Sequence, residues 1–260
     1  MGVIEHPPIF QVPGVPDHVL YTWLVMILLS VVALLASRAG RLVPRGIQNF
    51  MEMVLEQFVK EMDDTVGSEG RPYLPLIATL GLFILTSNLL GLVPGLIAPT
   101  ANLNTTAACA LIVFFTYHWI GIRKQGFVPY LKHFAGPVPA VLKPLMFVIE
   151  IISHCARPLS LSLRLFGNMM AGHILLAIFF FMMGFDGMLG WALSGTLGGI
   201  VLGAPAALIM VAFVVGFLLP LKLLVAFIQT FIFCKLAMLY IAAAVEESHE
   251  DFPTGEPAHH

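Results

Sequence analysis

Leu161-Ser162-Leu163-Arg164-Leu165-Phe166-Gly167-Asn168-Met169 decides the reading of this chain. The nonapeptide lies in an apolar stretch with helical patterning, from about Pro137 to Met183, and sets one guanidinium inside it. Arginine stays protonated at any reachable pH. At the centre of a membrane helix it costs at least about 2.5–3.5 kcal/mol on insertion scales, so the charge must meet water or a partner. Gly167, Asn168 and Gly172 make the same stretch small and polar, so that a partner can approach the arginine closely.

Outward from this stretch the chain is apolar almost throughout. Of its 260 residues 58% are hydrophobic and only 11% charged, a balance outside the range of water-soluble domains. Several runs are long enough to cross a hydrocarbon core of about 30 Å. The pattern predicts an all-α polytopic membrane protein of five to six membrane helices, two of them long and tilted, with one amphipathic interfacial helix. The net charge of −2 is uninformative about nucleic acid, and no basic aromatic surface points to it, so none is expected as a partner. Cys109, Cys155 and Cys234 stand alone in apolar runs and read as small core residues, without disulfide or metal-ligand spacing. No basic region precedes the first apolar run, so no cleavable signal peptide is expected.

The chain reads as a single membrane domain over 1–260. Residues 1–17 form an external N-terminal segment, and 18–37 the first membrane helix, closed by Arg38, Arg41 and Arg45. Over 44–66, Ile47, Phe50, Met51, Val54 and Phe58 interleave with Glu52, Glu56, Lys60 and Glu61, the pattern of an amphipathic helix on the cytoplasmic surface. Residues 74–121 form a helical hairpin whose outer turn carries Pro94, Pro99, Asn102 and Asn104, and 246–260 form a cytoplasmic tail. None of the 13 basic residues falls in 1–17, 97–104 or 184–192, which places those segments outside and the C-terminus in the cytoplasm. Residues 137–183 and 190–245 would each span roughly 70–80 Å as helix, too long for one perpendicular crossing. Each is either strongly tilted or broken, with Pro144, Pro158, Pro205 and Pro220 as candidate hinges. The spacing Gly195-Gly199-Gly203 suits close helix packing in lipid.

The polar residues of these two segments share faces. Glu150, His154, Arg157, Leu161, Arg164 and Asn168 follow steps of three and four along one stripe, flanked by Ser153 and Ser160. Glu150, Ser153, Arg157 and Ser160 lie on the cytoplasmic side of Arg164, and Asn168 and His173 on its outer side. His173 stands nine residues from Arg164, about 180° round the helix and about 13 Å along it. Lys222 and Gln229 share a face of the last helix and fit opposite His173 and Asn168. Two polar trails either side of a permanent cation describe two aqueous half-pathways with a charge barrier. Blander readings stand beside this one: Arg157 anchors the helix at the interface, Glu150 neutralises Arg157, Lys222 reaches for water, and His133 and His154 are interfacial.

Leu163-Arg164-Leu165-Phe166-Gly167-Asn168-Met169 with Ala171-Gly172 resembles the signature of subunit a of the rotary ATP synthase membrane sector. Ala226-Phe227-Ile228-Gln229-Thr230-Phe231-Ile232-Phe233 is similar to the last-helix motif of that family, and Asn102-Leu103-Asn104-Thr105-Thr106 to a third element, all in the right order. The resemblance covers residues 18–249. It implies a non-catalytic stator without cofactor or metal, in a bacterial inner membrane, working with a ring of c subunits, a b-subunit peripheral stalk and the rest of the complex. Arg164 matches the essential arginine that faces the ring carboxylate. Asn102, Asn168, His173, Lys222 and Gln229 match the outer half-channel, and Glu150, Ser153, Arg157 and Ser160 the cytoplasmic one. The family often pairs an acid with a histidine at positions 173 and 222, and some members carry an acid at 102. Here those residues are His173, Lys222 and Asn102. A different class is a secondary transporter binding an anion at Arg164, which inverted repeats would mark. A purely structural subunit is a third.

Overall fold

The computed structural model describes residues 14–38, 46–93, 95–133, 142–183 and 187–250. Among them the chain is helical, with no strand: α1 (Asp17–Arg38), α2 (Ile47–Thr65), α3 (Leu74–Leu90), α4 (Leu103–Gln125), α5 (Phe127–His133), α6 (Lys143–Met183), α7 (Met188–Leu193), α8 (Ala204–Phe213) and α9 (Leu219–Glu250). Five stretches are long and apolar enough to cross a membrane: Asp17–Ser37, Ser68–Leu90, Leu103–Lys124, Lys143–Met182 and Val201–Val245. Helices dominate because hydrocarbon offers the backbone no partner outside its own ladder. This is an all-α polytopic membrane protein. Arg41, Arg45, Pro94, most of the N-terminal segment and tail residues 251–260 lie outside the described residues.

The prolines do not break the long helices. Pro144 occupies the start of α6, where a missing N–H is harmless. Pro158 lies inside α6, which continues through it for 41 residues. Pro205 and Pro220 follow directly on π-helical turns, Gly199–Gly203 and Val214–Leu218. A proline ring clashes with the carbonyl four residues earlier, here Val201 and Gly216, and both carbonyls fall within those widened turns. The expected helix over 190–245 starts later: residues 188–193 form the separate α7, and Gly195 turns the chain at φ +71, a conformation open to glycine. Gly195 is therefore a turn residue. Gly203 closes on Ala192, where an added Cβ would lie 3.1 Å from its Cα.

The chain forms two compact units. The first comprises the described parts of Met1–Leu29, Phe83–Thr105 and Arg164–Phe231. Its core includes Tyr21 and Val25 of α1, Ile84 of α3, Leu165 and Met169 of α6, and Ala226 of α9. Leu176, Val214 and Leu218 form a further cluster with Phe179 and Phe180 against it. The second comprises Ser30–Leu82, Thr106–Leu163 and the described part of Ile232–His260. There Met62, Ile77, Val113, Tyr117, Ile120, Leu161, Phe233, Met238 and Ile241 are buried together with Cys109 and Cys234. Cys155 departs from its expected core position and is exposed. Thr106 and Ser162 share a buried hydroxyl bond of 3.2 Å between α4 and α6, worth about 0.6 kcal/mol in membrane bundles. Lys235 of α9 donates to Glu61 at 2.8 Å and to Thr65 at 2.7 Å, fastening the amphipathic α2.

Candidate functional site

Arg164 lies 21 residues from the start of α6 and 19 from its end. That is about 30 Å along the helix from either terminus. Its side chain is exposed, with no hydrogen-bond or ion-pair partner among the described residues. The helix presents the arginine outward because Leu161, Leu165 and Met169 take the buried face. Ser153, Ser160 and Gly167 recur every seven residues within about 60° of Arg164, all exposed, and an added Cβ at Gly167 would meet nothing within 4 Å.

The first unit gathers the other sequence-expected residues of the outer trail. Asn168 donates from Nδ2 to Gln229 Oε1 at 3.4 Å, joining α6 to α9. Lys222 lies along Gly172, where an added Cβ would stand 2.8 Å from its Cε. His173 reaches α3, with its Nε2 2.9 Å from where a Cβ of Gly91 would stand. Glycines at 91 and 172 thus admit the two basic side chains to the interior. Asn102 belongs to the same unit. Its Oδ1 accepts the Asn104 N–H at 2.9 Å, which caps the start of α4 and gives the Asn102-Leu103-Asn104 motif a structural role.

Several residues of this unit escaped the sequence reading. Asn88 of α3 accepts from the Thr100 hydroxyl at 2.8 Å, both buried. Buried polar atoms of Tyr21, Ser87, Asn88, His173, Lys222 and Gln229 have no protein partner among the described residues. Buried groups of this kind are satisfied by water in membrane-spanning and soluble folds alike. The only advance signal was a Ser87-Asn88 pair in an otherwise apolar helix.

The second unit holds the residues expected on the inner trail. Glu150 does not neutralise Arg157: its Oε1 lies 3.2 Å from Nε2 of His154, one turn on. His154 Nδ1 in turn lies 3.2 Å from the hydroxyl of Tyr117 on α4. Arg157 stands over the ring of Tyr240 at 5.5 Å, a cation–π contact that accommodates its charge. His118 packs edge-on to His154 at 5.1 Å. Ser153 and Ser160 are exposed and stand apart from this cluster. The side chain of His133 lies outside the described residues. Tyr117, His118 and Tyr240 were not anticipated, since only the pairing of α4, α6 and α9 brings them to His154 and Arg157.

The comparisons with known proteins agree with this architecture. The family described as "ATP synthase A chain" matches residues 19–242. ATP synthase subunit a of Geobacter sulfurreducens is 48% identical over 238 residues, covering 90% of this chain and 89% of that protein. ATP synthase subunit a 1 of Syntrophotalea carbinolica is 50% identical over 232 residues, 89% of this chain and 87% of its own length. ATP synthase subunit a of Citrifermentans bemidjiense is 44% identical over 244 residues, 94% and 93% of the two chains. With its motifs in order and the match running from the first membrane helix through most of the last, the chain belongs to the ATP synthase A chain family.

Proposed function

We propose that this chain is the ion-conducting stator of a rotary ATP synthase, with Arg164 facing the carboxylates of a c-subunit ring. Asn102, Asn168, His173, Lys222 and Gln229 belong to an outer half-channel, and Glu150, Ser153, Arg157 and Ser160 to a cytoplasmic one. The protein sits in a bacterial inner membrane, N-terminus outside and C-terminus inside, and is held by a b-subunit stalk.

One observation carries this reading. Arg164 is an exposed cation with no partner among the described residues, in the middle of a 41-residue apolar helix. Such a charge is too unfavourable in lipid to persist without a facing anion or water. A ring carboxylate passing the small-residue face at Ser160 and Gly167 supplies that anion. The unsatisfied buried donors of the first unit support a hydrated outer path. The chain Glu150–His154–Tyr117 supports a polar inner one.

The mechanism follows from a charge that cannot be discharged. The guanidinium favours the ionised form of a facing carboxylate, so an arriving protonated site releases its proton to the cytoplasmic path during synthesis. The ionised site passes the arginine and is reprotonated from the outer path. Each proton contributes about 2.3 kcal/mol per 100 mV, so several must pass for each ATP. Arg164→Ala should abolish ATP-driven proton pumping in inverted vesicles while the complex still assembles. Arg164→Lys should fail as well, because a compact ammonium lacks the planar fork. Parental pumping by Arg164→Ala vesicles would overturn the assignment.

A further inference from the structure

We propose that His154 and Tyr117 form, with Glu150, a proton relay on the cytoplasmic side, in which the imidazole carries protons between the phenol and the carboxylate. The proposal rests on the half-channel reading above and adds two residues to it.

Three observations carry it. Both ring nitrogens of His154 are engaged, Nε2 with Glu150 Oε1 at 3.2 Å and Nδ1 with Tyr117 Oη at 3.2 Å. A histidine that only fills space has no need for two titratable partners on opposite edges. The side chains also grade in exposure, 34% for Glu150 and 13% for His154, while Tyr117 as a residue is 2% exposed. The three side chains therefore lead from the surface of the fold to its interior. Finally, the ring is held in place: it lies 29° from parallel with Tyr117 at 5.9 Å and packs edge-on to His118. Fixed geometry at hydrogen-bond reach is what proton transfer requires.

The chemistry balances. A carboxylate only accepts, so Nε2–H donates to Glu150, and Nδ1 accepts from the Tyr117 hydroxyl. A proton released by the ring carboxylate reaches the Tyr117 oxygen through water as the hydroxyl hydrogen moves to Nδ1. The imidazolium so formed passes its Nε2 proton to Glu150, which discharges to cytoplasmic water. One proton enters and one leaves. The ring is left neutral with its proton on Nδ1, and exchange with water at its part-exposed edge returns it to Nε2. Arg157, over Tyr240, is the fixed charge beside this path; His118, Tyr130 and Tyr240 complete its titratable surroundings.

The test uses membranes carrying the whole complex, with passive proton conduction through the membrane sector as the readout. His154→Gln and Tyr117→Phe preserve shape and should each slow conduction about tenfold. That is less than the hundredfold or more a positioned acid–base group contributes, because a parallel water route remains. His154→Ala should be slowed likewise and should recover on adding imidazole, with no gain in parental or Arg164→Ala membranes. Parental conduction by both His154→Gln and Tyr117→Phe overturns the relay. So does a loss that imidazole leaves unrescued, which marks a packing role. Either result leaves the stator assignment standing as long as Arg164→Ala still blocks pumping; an active Arg164→Ala removes the assignment itself.

Discussion

Asn168 donates from Nδ2 to Gln229 Oε1 across 3.4 Å, a bond between residues 61 positions apart that ties α6 to α9 one turn beyond Arg164. Gln229 is 5% exposed, and its own Nε2 has no protein partner among the described residues. A buried amide half satisfied by protein and half left for water is suited to a wet path. Gln229→Leu removes both halves and leaves Asn168 Nδ2 without its acceptor, so it should destabilise by about 1–3 kcal/mol. Proton flux should fall severalfold, measured as ATP-driven quenching of a pH dye in inverted vesicles. Unchanged flux would reduce the pair to a packing contact.

The glycines beside the two basic residues differ in what surrounds them. An added Cβ at Gly172 would press on Lys222 Cε at 2.8 Å, the far end of a flexible chain that can shift. At Gly91 it would press on Ala98 Cβ at 2.7 Å and on His173 Nε2 at 2.9 Å, and neither retreats freely. Gly172→Ala should therefore be tolerated, whereas Gly91→Ala should destabilise by about 1–3 kcal/mol through overpacking. Melting of the purified complex in detergent compares them, and equal losses would contradict the difference.

The phase of α6 makes a prediction about neighbours. Ser160, Arg164 and Gly167 are exposed, while the buried Nε2 of His173 lies about half a turn round from Arg164. Cysteines replacing Ser160 or Gly167 should crosslink to cysteines in a ring helix, and one replacing His173 should not. Equal crosslinking from all three would require a rotation within α6 that an unbroken helix does not permit.

What the sequence could reveal followed the kind of signal each feature leaves. Arg164 was legible because a charge in an apolar run has no local explanation, and the phase of its helix placed Asn168 and His173 without any tertiary knowledge. The long segments were legible in length but not in form. Pro205 and Pro220 were candidate hinges in a segment read as tilted or broken, and the widened turns that precede them leave no mark in hydropathy. His154 read as interfacial because its partner Tyr117 is 37 residues away, in another helix. Lys235 and Glu61 are 174 residues apart and were invisible for the same reason. Ser87 and Asn88 left a weak trace, since one polar pair in an apolar helix does not say which face is buried.

His173 and Lys222 bring two bases to the interior of the first unit, each with a buried nitrogen that no described protein group satisfies. A neutral imidazole can accept a proton on one nitrogen and release one from the other, so it serves a water chain in either direction. Lys222 lies against Gly172 in the same interior. His173→Leu removes the only relay of the two able to act from both sides and should slow proton flux in both directions. The membrane should stay tight, because Arg164 still bars a direct route. His173→Glu should retain part of the flux, since a carboxylate also relays protons and gains Lys222 as an ion-pair partner. Lys222→Met combined with His173→Glu should then lose more than either change alone, because the buried carboxylate is left without its cation. Flux at the parental rate in His173→Leu vesicles would make His173 a packing residue and route entry past Asn168 and Gln229.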